Sequence, residues 1–132
     1  MITHIHHINF LVQNLENAVV QYEKLPGIGS FEFDQLEGRA VRTAKTRLGD
    51  TWLVLVQPVD KESIPAKHLQ EHGEGFFLLS LGTENLENSL NSIKSKQISL
   101  HGTQRAGLDN WQVQDLDPEA FFGAQIQLAE DK

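Results

Sequence analysis

The chain has 132 residues, 39% of them hydrophobic and 22% charged, which suits one globular domain that buries roughly two-thirds of its unfolded surface. Cysteine is absent, which excludes disulfides and thiolate metal sites and fits a cytoplasmic protein. The net charge of −7 argues against a nucleic-acid or anionic-membrane surface, and no apolar run approaches the ~20 residues of a membrane span, so a small-molecule ligand or a protein partner remains.

In chain order, residues 4–12 read as a strand, with Ile8, Phe10 and Val12 on one face and His7, Asn9 and Leu11 on the other. The spacing of Leu15, Ala18, Val19 and Tyr22 predicts a helix from about Leu15 to Lys24, stopped by Pro26-Gly27-Ile28-Gly29. Its apolar stripe needs a partner, which the Ile8 face supplies, so His7, Asn9 and Leu11 look away from the helix. Strands are expected at Ser30–Leu36 and Arg39–Leu48, around a Glu37-Gly38 turn, and at Thr51–Gln57. In the last of these Leu53 and Leu55 face one way and Trp52, Val54 and Val56 the other. A polar connection, Val59–Gly73, holds a short helix near Ile64–Glu71 with Gly73 as its cap.

Phe76–Thr83 then reads as a strand with Phe77, Leu79 and Leu81 toward a helix and Leu78, Ser80 and Gly82 away from it. Asn85 caps that helix, whose stripe is Leu86, Leu90 and Ile93. A short strand at Gln97–His101, a polar loop at His101–Leu108 and strands at Asn110–Asp115 and Gly123–Ala129 complete the chain.

The second series repeats the first. A shift of 71 positions carries Asn14-Leu15-Glu16-Asn17 onto an identical Asn85-Leu86-Glu87-Asn88, Ile8 onto Leu79, Phe10 onto Leu81 and Val19 onto Leu90. Two copies in so short a chain imply two similar βαβββ modules, at about 4–58 and 75–130, within a single domain spanning 1–132. The expected class is α+β, with the modules forming a curved mixed sheet around a cleft and helices outside.

A paired βαβββ repeat of this length resembles the vicinal oxygen chelate superfamily of glyoxalases, extradiol dioxygenases and bleomycin-resistance proteins, and its motifs look most like methylmalonyl-CoA epimerases. His7-Ile8-Asn9-Phe10 matches the opening strand, and Gly49-Asp50-Thr51 through Pro58 matches the fourth. Ser63–Leu69 through Gly73-Glu74-Gly75 matches the connecting helix, and Pro118, Gly123–Leu128 and Glu130 match the closing strand. The resemblance implies a homodimer and, in metal-dependent members, four ligands from four strands around an open divalent ion. Those positions fall on His7, Val54, Leu78 and Gln127. Val and Leu have no lone pair to give, and a neutral amide is a poorer ligand than a carboxylate. Only His7 and Gln127 remain, so no metal and no other cofactor is expected.

The expected ligand pocket is His7, Asn9, Ser80 and Gln127 among apolar Trp52, Val54 and Leu78, the few-polar, mostly apolar lining of a small-molecule site. Alternation sets His6 across the sheet from His7, which excludes joint chelation in a regular strand. His68 and His72, four apart, have no third ligand nearby in sequence and read as an exposed helix face, while Asp34 and Glu37 read as solvated. Trp111 fits either pocket or core, and no catalytic residue is assigned. The favoured function is a glyoxalase-fold protein that has lost the chelating site and binds a small molecule without metal. The alternatives are a lyase or isomerase of the glyoxalase or epimerase type with a non-standard metal or His-based site, and an interaction module with a vestigial pocket.

Overall fold

The structure, a computed structural model, describes residues 1–132. It is an α+β fold with eight strands: β1 (Ile2–Leu11), β2 (Glu32–Leu36), β3 (Val41–Leu48), β4 (Thr51–Pro58), β5 (Gly75–Thr83), β6 (Leu100–Ala106), β7 (Gln112–Leu116) and β8 (Ile126–Glu130). Three α-helices join them: α1 (Leu15–Tyr22), α2 (Ile64–His72) and α3 (Leu86–Ser95). The order β1-α1-β2-β3-β4, then β5-α3-β6-β7-β8, is the repeated βαβββ unit.

Two compact units form, and they do not coincide with the two modules. One is Ile8–Phe77; the other joins Met1–His7 to Leu78–Lys132, so β1 contributes its first residues to the later half of the chain. Within Ile8–Phe77 the strand order is β2-β3-β4-β1, and β3 pairs antiparallel with both β2 and β4. Helix α1 buries Leu15 and Val19 against Val12, Phe31, Ala44 and Leu55, with Phe10 and Leu53 packed at the margin. Phe10 and Leu55 thus face the helix as their alternation requires, and Thr43, Lys45 and Val54 occupy the opposite face.

In the other unit the order is β1-β5-β8-β7-β6, mixed because β5 and β8 run parallel. Helix α3 buries Leu86 and Leu90 on Leu116 and Leu128, joined by Leu81 and Ile126. Both repeats start their helices in one way. Asn14 Oδ1 accepts the Asn17 N–H and Asn85 Oδ1 the Asn88 N–H, each at 2.9 Å. The next orphan donor of each first turn is met from the module's last strand, Leu15 N–H by Gln57 Oε1 at 2.8 Å and Leu86 N–H by Glu130 Oε1 at 2.6 Å. The bond from Leu86, followed by Lys132, holds the Glu130 carboxyl below its usual range.

Two neighbouring expectations differ from the structure: of the short strand expected at Gln97–His101, residues 97–99 lie outside any strand. The stretch expected as a polar loop, His101–Leu108, is strand as far as Ala106. It is the outer strand of its unit, exposed along most of its length, and its register against β7 shifts between His101 and Arg105. An edge strand of this kind has no buried face to impose an apolar alternation, and the irregularity lets Gly102 sit in a left-handed conformation.

Candidate functional site

Parallel pairing of β5 with β8 sets Ser80 beside Gln127. Because Leu81, Ile126 and Leu128 belong to the core under α3, Leu78, Ser80 and Gln127 turn to the other face of the sheet. Asp115 on β7 extends the row: it stands opposite Gln127, accepts the Gln127 Nε2–H at 3.0 Å through Oδ1, and accepts from the Arg105 guanidinium at 2.7 Å through Oδ2. The row is fixed at that end and unsatisfied at the other. Ser80 is fully buried and its Oγ has no partner, nor has Gln127 Oε1. Buried polar atoms are seldom left so, because each forfeits its bonds to water.

His7 lies beside this row, and its neighbour His6 corrects the sequence reading. Both rings are buried, and His6 Nδ1 and His7 Nδ1 are 2.8 Å apart in a shared hydrogen bond. Regular alternation would hold them on opposite faces, so both rings lean to one side of the backbone. Trp111 receives them there, stacked on His7 (centroids 4.7 Å apart, planes at 21°) and meeting His6 edge-on at 4.6 Å. A tight turn at Leu108–Asn110 delivers that indole. Asp109 and Asn110 both adopt positive φ, which Asp and Asn tolerate better than most residues, and Gly107 N–H closes on Trp111 C=O at 2.7 Å.

The second His6 nitrogen, Nε2, lies 2.9 Å from Asp131 Oδ1. An ionised carboxylate only accepts, so His6 carries a proton on Nε2; when His6 is neutral its Nδ1 is a lone pair, and His7 Nδ1–H must donate to it. That leaves His7 Nε2 as an acceptor. Burial pushes the His7 imidazole down from 6.5 to about 3, the neighbouring His6 lowers it further, and the Gln127 side chain opposes the shift. At neutral pH His7 is therefore uncharged, and it presents a fixed ring nitrogen beside two orphaned oxygens.

The other expected pocket residues belong to the Ile8–Phe77 unit. Val54 is buried, Trp52 half-buried, and Asn9 half-buried with an Oδ1 that is enclosed and unpartnered. The sequence reading missed their neighbours. Lys45 stands directly across from Val54 and is 3% exposed, with its Nζ 4.3 Å from the Trp52 ring centroid. Thr43, two residues earlier on the same face, is buried with an unpartnered Oγ1. The alternation Thr43, Lys45, Arg47 carries this signal in the sequence, but a lysine in a strand reads as solvent-facing until its cross-strand partners are known.

Elsewhere the expectations meet mixed outcomes. His72 is exposed, but His68 is half-buried against Phe77, with its ring 4.4 Å from His72, and burial followed by His72 lowers its pKa. Asp34 and Glu37 are exposed.

Residues 6–114 match the family model of the glyoxalase/bleomycin resistance protein/dioxygenase superfamily. The chain belongs to this superfamily. A solved Streptomyces coelicolor methylmalonyl-CoA epimerase variant in complex with 2-nitronate-propionyl-CoA superposes with a TM-score of 0.93 at 24% identity, covering 99% of this chain and 96% of that one. The Mycobacterium tuberculosis methylmalonyl-CoA epimerase gives 0.92 at 23% identity, with 99% and 89% covered. YqjC of Bacillus subtilis strain 168, an uncharacterised protein, is 22% identical over 96% of this chain and 91% of its own length. At these identities the likeness to the epimerases is one of fold.

The superfamily's chelating set is not kept. Of the four positions to which the resemblance points, His7 can ligate, Val54 and Leu78 are buried apolar side chains, and the Gln127 amide already donates to Asp115. No group of three or more His, Asp or Glu side chains is placed to hold a metal ion. The donor set does not fit a divalent cation, because two of the four side chains have no lone pair.

Proposed function

We propose that this member of the superfamily binds a small apolar or amphipathic molecule without a metal, at His7, Leu78, Ser80 and Gln127, all of the unit that joins Met1–His7 to Leu78–Lys132. The observation that carries the reading is the pair of buried, unpartnered oxygens, Ser80 Oγ and Gln127 Oε1, beside a neutral His7 whose Nδ1 is committed to His6. A ligand that offers hydrogen-bond donors to His7 Nε2 and Gln127 Oε1, and an apolar body to Leu78, would satisfy them. The epimerase structures hold acyl-CoA ligands such as 2-nitronate-propionyl-CoA, which makes acyl-CoAs the first compounds to try.

A second reading is supported by the Asp131–His6–His7 chain, which could fix His7 as the acid or base of a lyase or isomerase. A thermal-shift panel of acyl-CoAs and aromatic compounds, run with elemental analysis and a His7→Ala variant, separates these readings. Binding without metal that is lost in the variant is expected, together with no epimerisation of methylmalonyl-CoA. Near-stoichiometric zinc, cobalt, nickel or manganese that disappears on substitution would overturn the metal-free reading. Turnover of a bound acyl-CoA would favour the enzyme, and absence of any binding would leave the interaction module.

The protein is further read as a cytoplasmic homodimer, on the absence of cysteine and the resemblance to superfamily members with one pair of modules. No helix is long and apolar enough to cross a membrane. Light scattering should give a mass near twice 14.9 kDa at micromolar concentration, and a monomer would count against the dimer.

A further inference from the structure

Within the Ile8–Phe77 unit, one cation is placed where a cation is costly. The Lys45 side chain is almost fully enclosed, on the face of β3 turned away from α1, and it lies over the Trp52 ring. A buried ammonium persists only with a counter-charge. The Glu32 carboxylate, reached across the β2–β3 pair, supplies one, and its own side chain is 66% exposed. The ammonium can thus be approached by a carboxylate from the solvent side, and in this structure the protein's own glutamate does so.

Two neighbours extend the site beyond an ion pair. Arg47, on the same face two residues on, brings its guanidinium carbon within 5.2 Å of the same Trp52 centroid and is steadied by a 3.0 Å bond from Nε to Gly49 C=O. Thr43, two residues before Lys45, has a hydroxyl that is buried and unpartnered. Two cations flanking one indole, with an unused donor alongside, match a carboxylate attached to a flat or apolar body.

We propose that Lys45, Arg47, Thr43 and Trp52 form a carboxylate-binding site, that Glu32 is its intramolecular occupant, and that a ligand carboxylate displaces Glu32. This deepens the small-molecule reading and rests on it. Lys45 stands across from Val54, where the resemblance would put a ligand in a metal-dependent member. A fixed ammonium thereby supplies positive charge on a strand pair that has lost its metal donor. It stabilises a carboxylate without coordinating it, so the site selects for ligands that carry their own negative charge.

The test uses malonate as the carboxylate, neutral malonamide as the control, and the indole N–H resonances of the two tryptophans as reporters. Malonate at constant ionic strength should move the Trp52 resonance saturably, and malonamide should not. Glu32→Gln removes the internal competitor and should tighten malonate binding roughly tenfold, while Lys45→Met should weaken it by at least as much. A structural ion pair would behave differently: Glu32→Gln would lower stability and leave malonate affinity unchanged, and that result overturns the proposal. So does a Lys45→Met protein that titrates like the parent, or a parent and Glu32→Gln protein that both fail to bind. If Lys45→Met does not fold, Glu32→Gln decides alone. The His7 reading is judged separately, by whether His7→Ala abolishes ligand binding observed at Trp111.

Discussion

Replacing Leu55 with alanine should lower the stability of the protein by about 4 kcal/mol, near the upper part of the range for buried leucines. Leu55 is fully buried and sits in the cluster that Val12, Leu15, Val19, Phe31 and Ala44 make under α1. Its removal leaves a void walled by α1, by β3 and by Val12 and Phe31 just outside β1 and β2, which cannot collapse into it without moving the sheet. Leu128, equally buried under α3, gives the informative comparison. It already lines an open cavity of about 560 Å³ between α3 and the sheet, with Leu81, Ile93 and Ile126. Leu128→Ala enlarges a space that exists instead of creating one, and its cost should fall lower, at about 3 kcal/mol. Urea denaturation of both variants, with unchanged m-values, checks the order. A Leu128 variant that loses as much as the Leu55 variant, or more, would contradict it.

The same clusters show what could be read in advance. The 71-residue repeat, the two Asn caps and the helix-facing parity of Phe10, Leu55 and Leu81 all follow from local periodicity, and burial against a helix imposes that periodicity on the sequence. The candidate site was legible only in part, for three physical reasons. His6 and His7 were separated by alternation, yet the Trp111 ring and the Asp131 carboxylate draw both imidazoles to one side, a tertiary effect that no window of β1 records. Asp115 and Arg105 act through cross-strand register, and the segment that carries Arg105 was expected as a loop because the exposed edge β6 has no apolar pattern. The sequence carries no signal that Lys45 itself is buried, because its surroundings include Trp52 and Glu32, which come beside it only once β2, β3 and β4 are paired.

Acid should destabilise the protein through His7 more than through any exposed histidine. The folded state holds this imidazole at about 3 against an ordinary 6.5, first because burial removes the solvation of the charged ring, then because His6 and Arg105 repel it, with Gln127 opposing. Between those two values the unfolded chain binds a proton that the folded chain refuses, so stability rises with pH across the interval and falls as pH is lowered through it. The contribution is complete above about pH 7. It is reduced by about 2 kcal/mol at pH 5, and the whole interval is worth about 5 kcal/mol if the ring stays enclosed. His7→Gln keeps a polar side chain in the same place and removes the titration. Its stability should therefore be lower than that of the parent at pH 7.5, where the parent's neutral ring packs on Trp111, and should change less between pH 7.5 and pH 5. Urea midpoints measured at the two pH values for both proteins give the comparison. Parallel losses in parent and variant would show that another group carries the acid sensitivity, and that the His7 ring is charged or solvated in the folded protein.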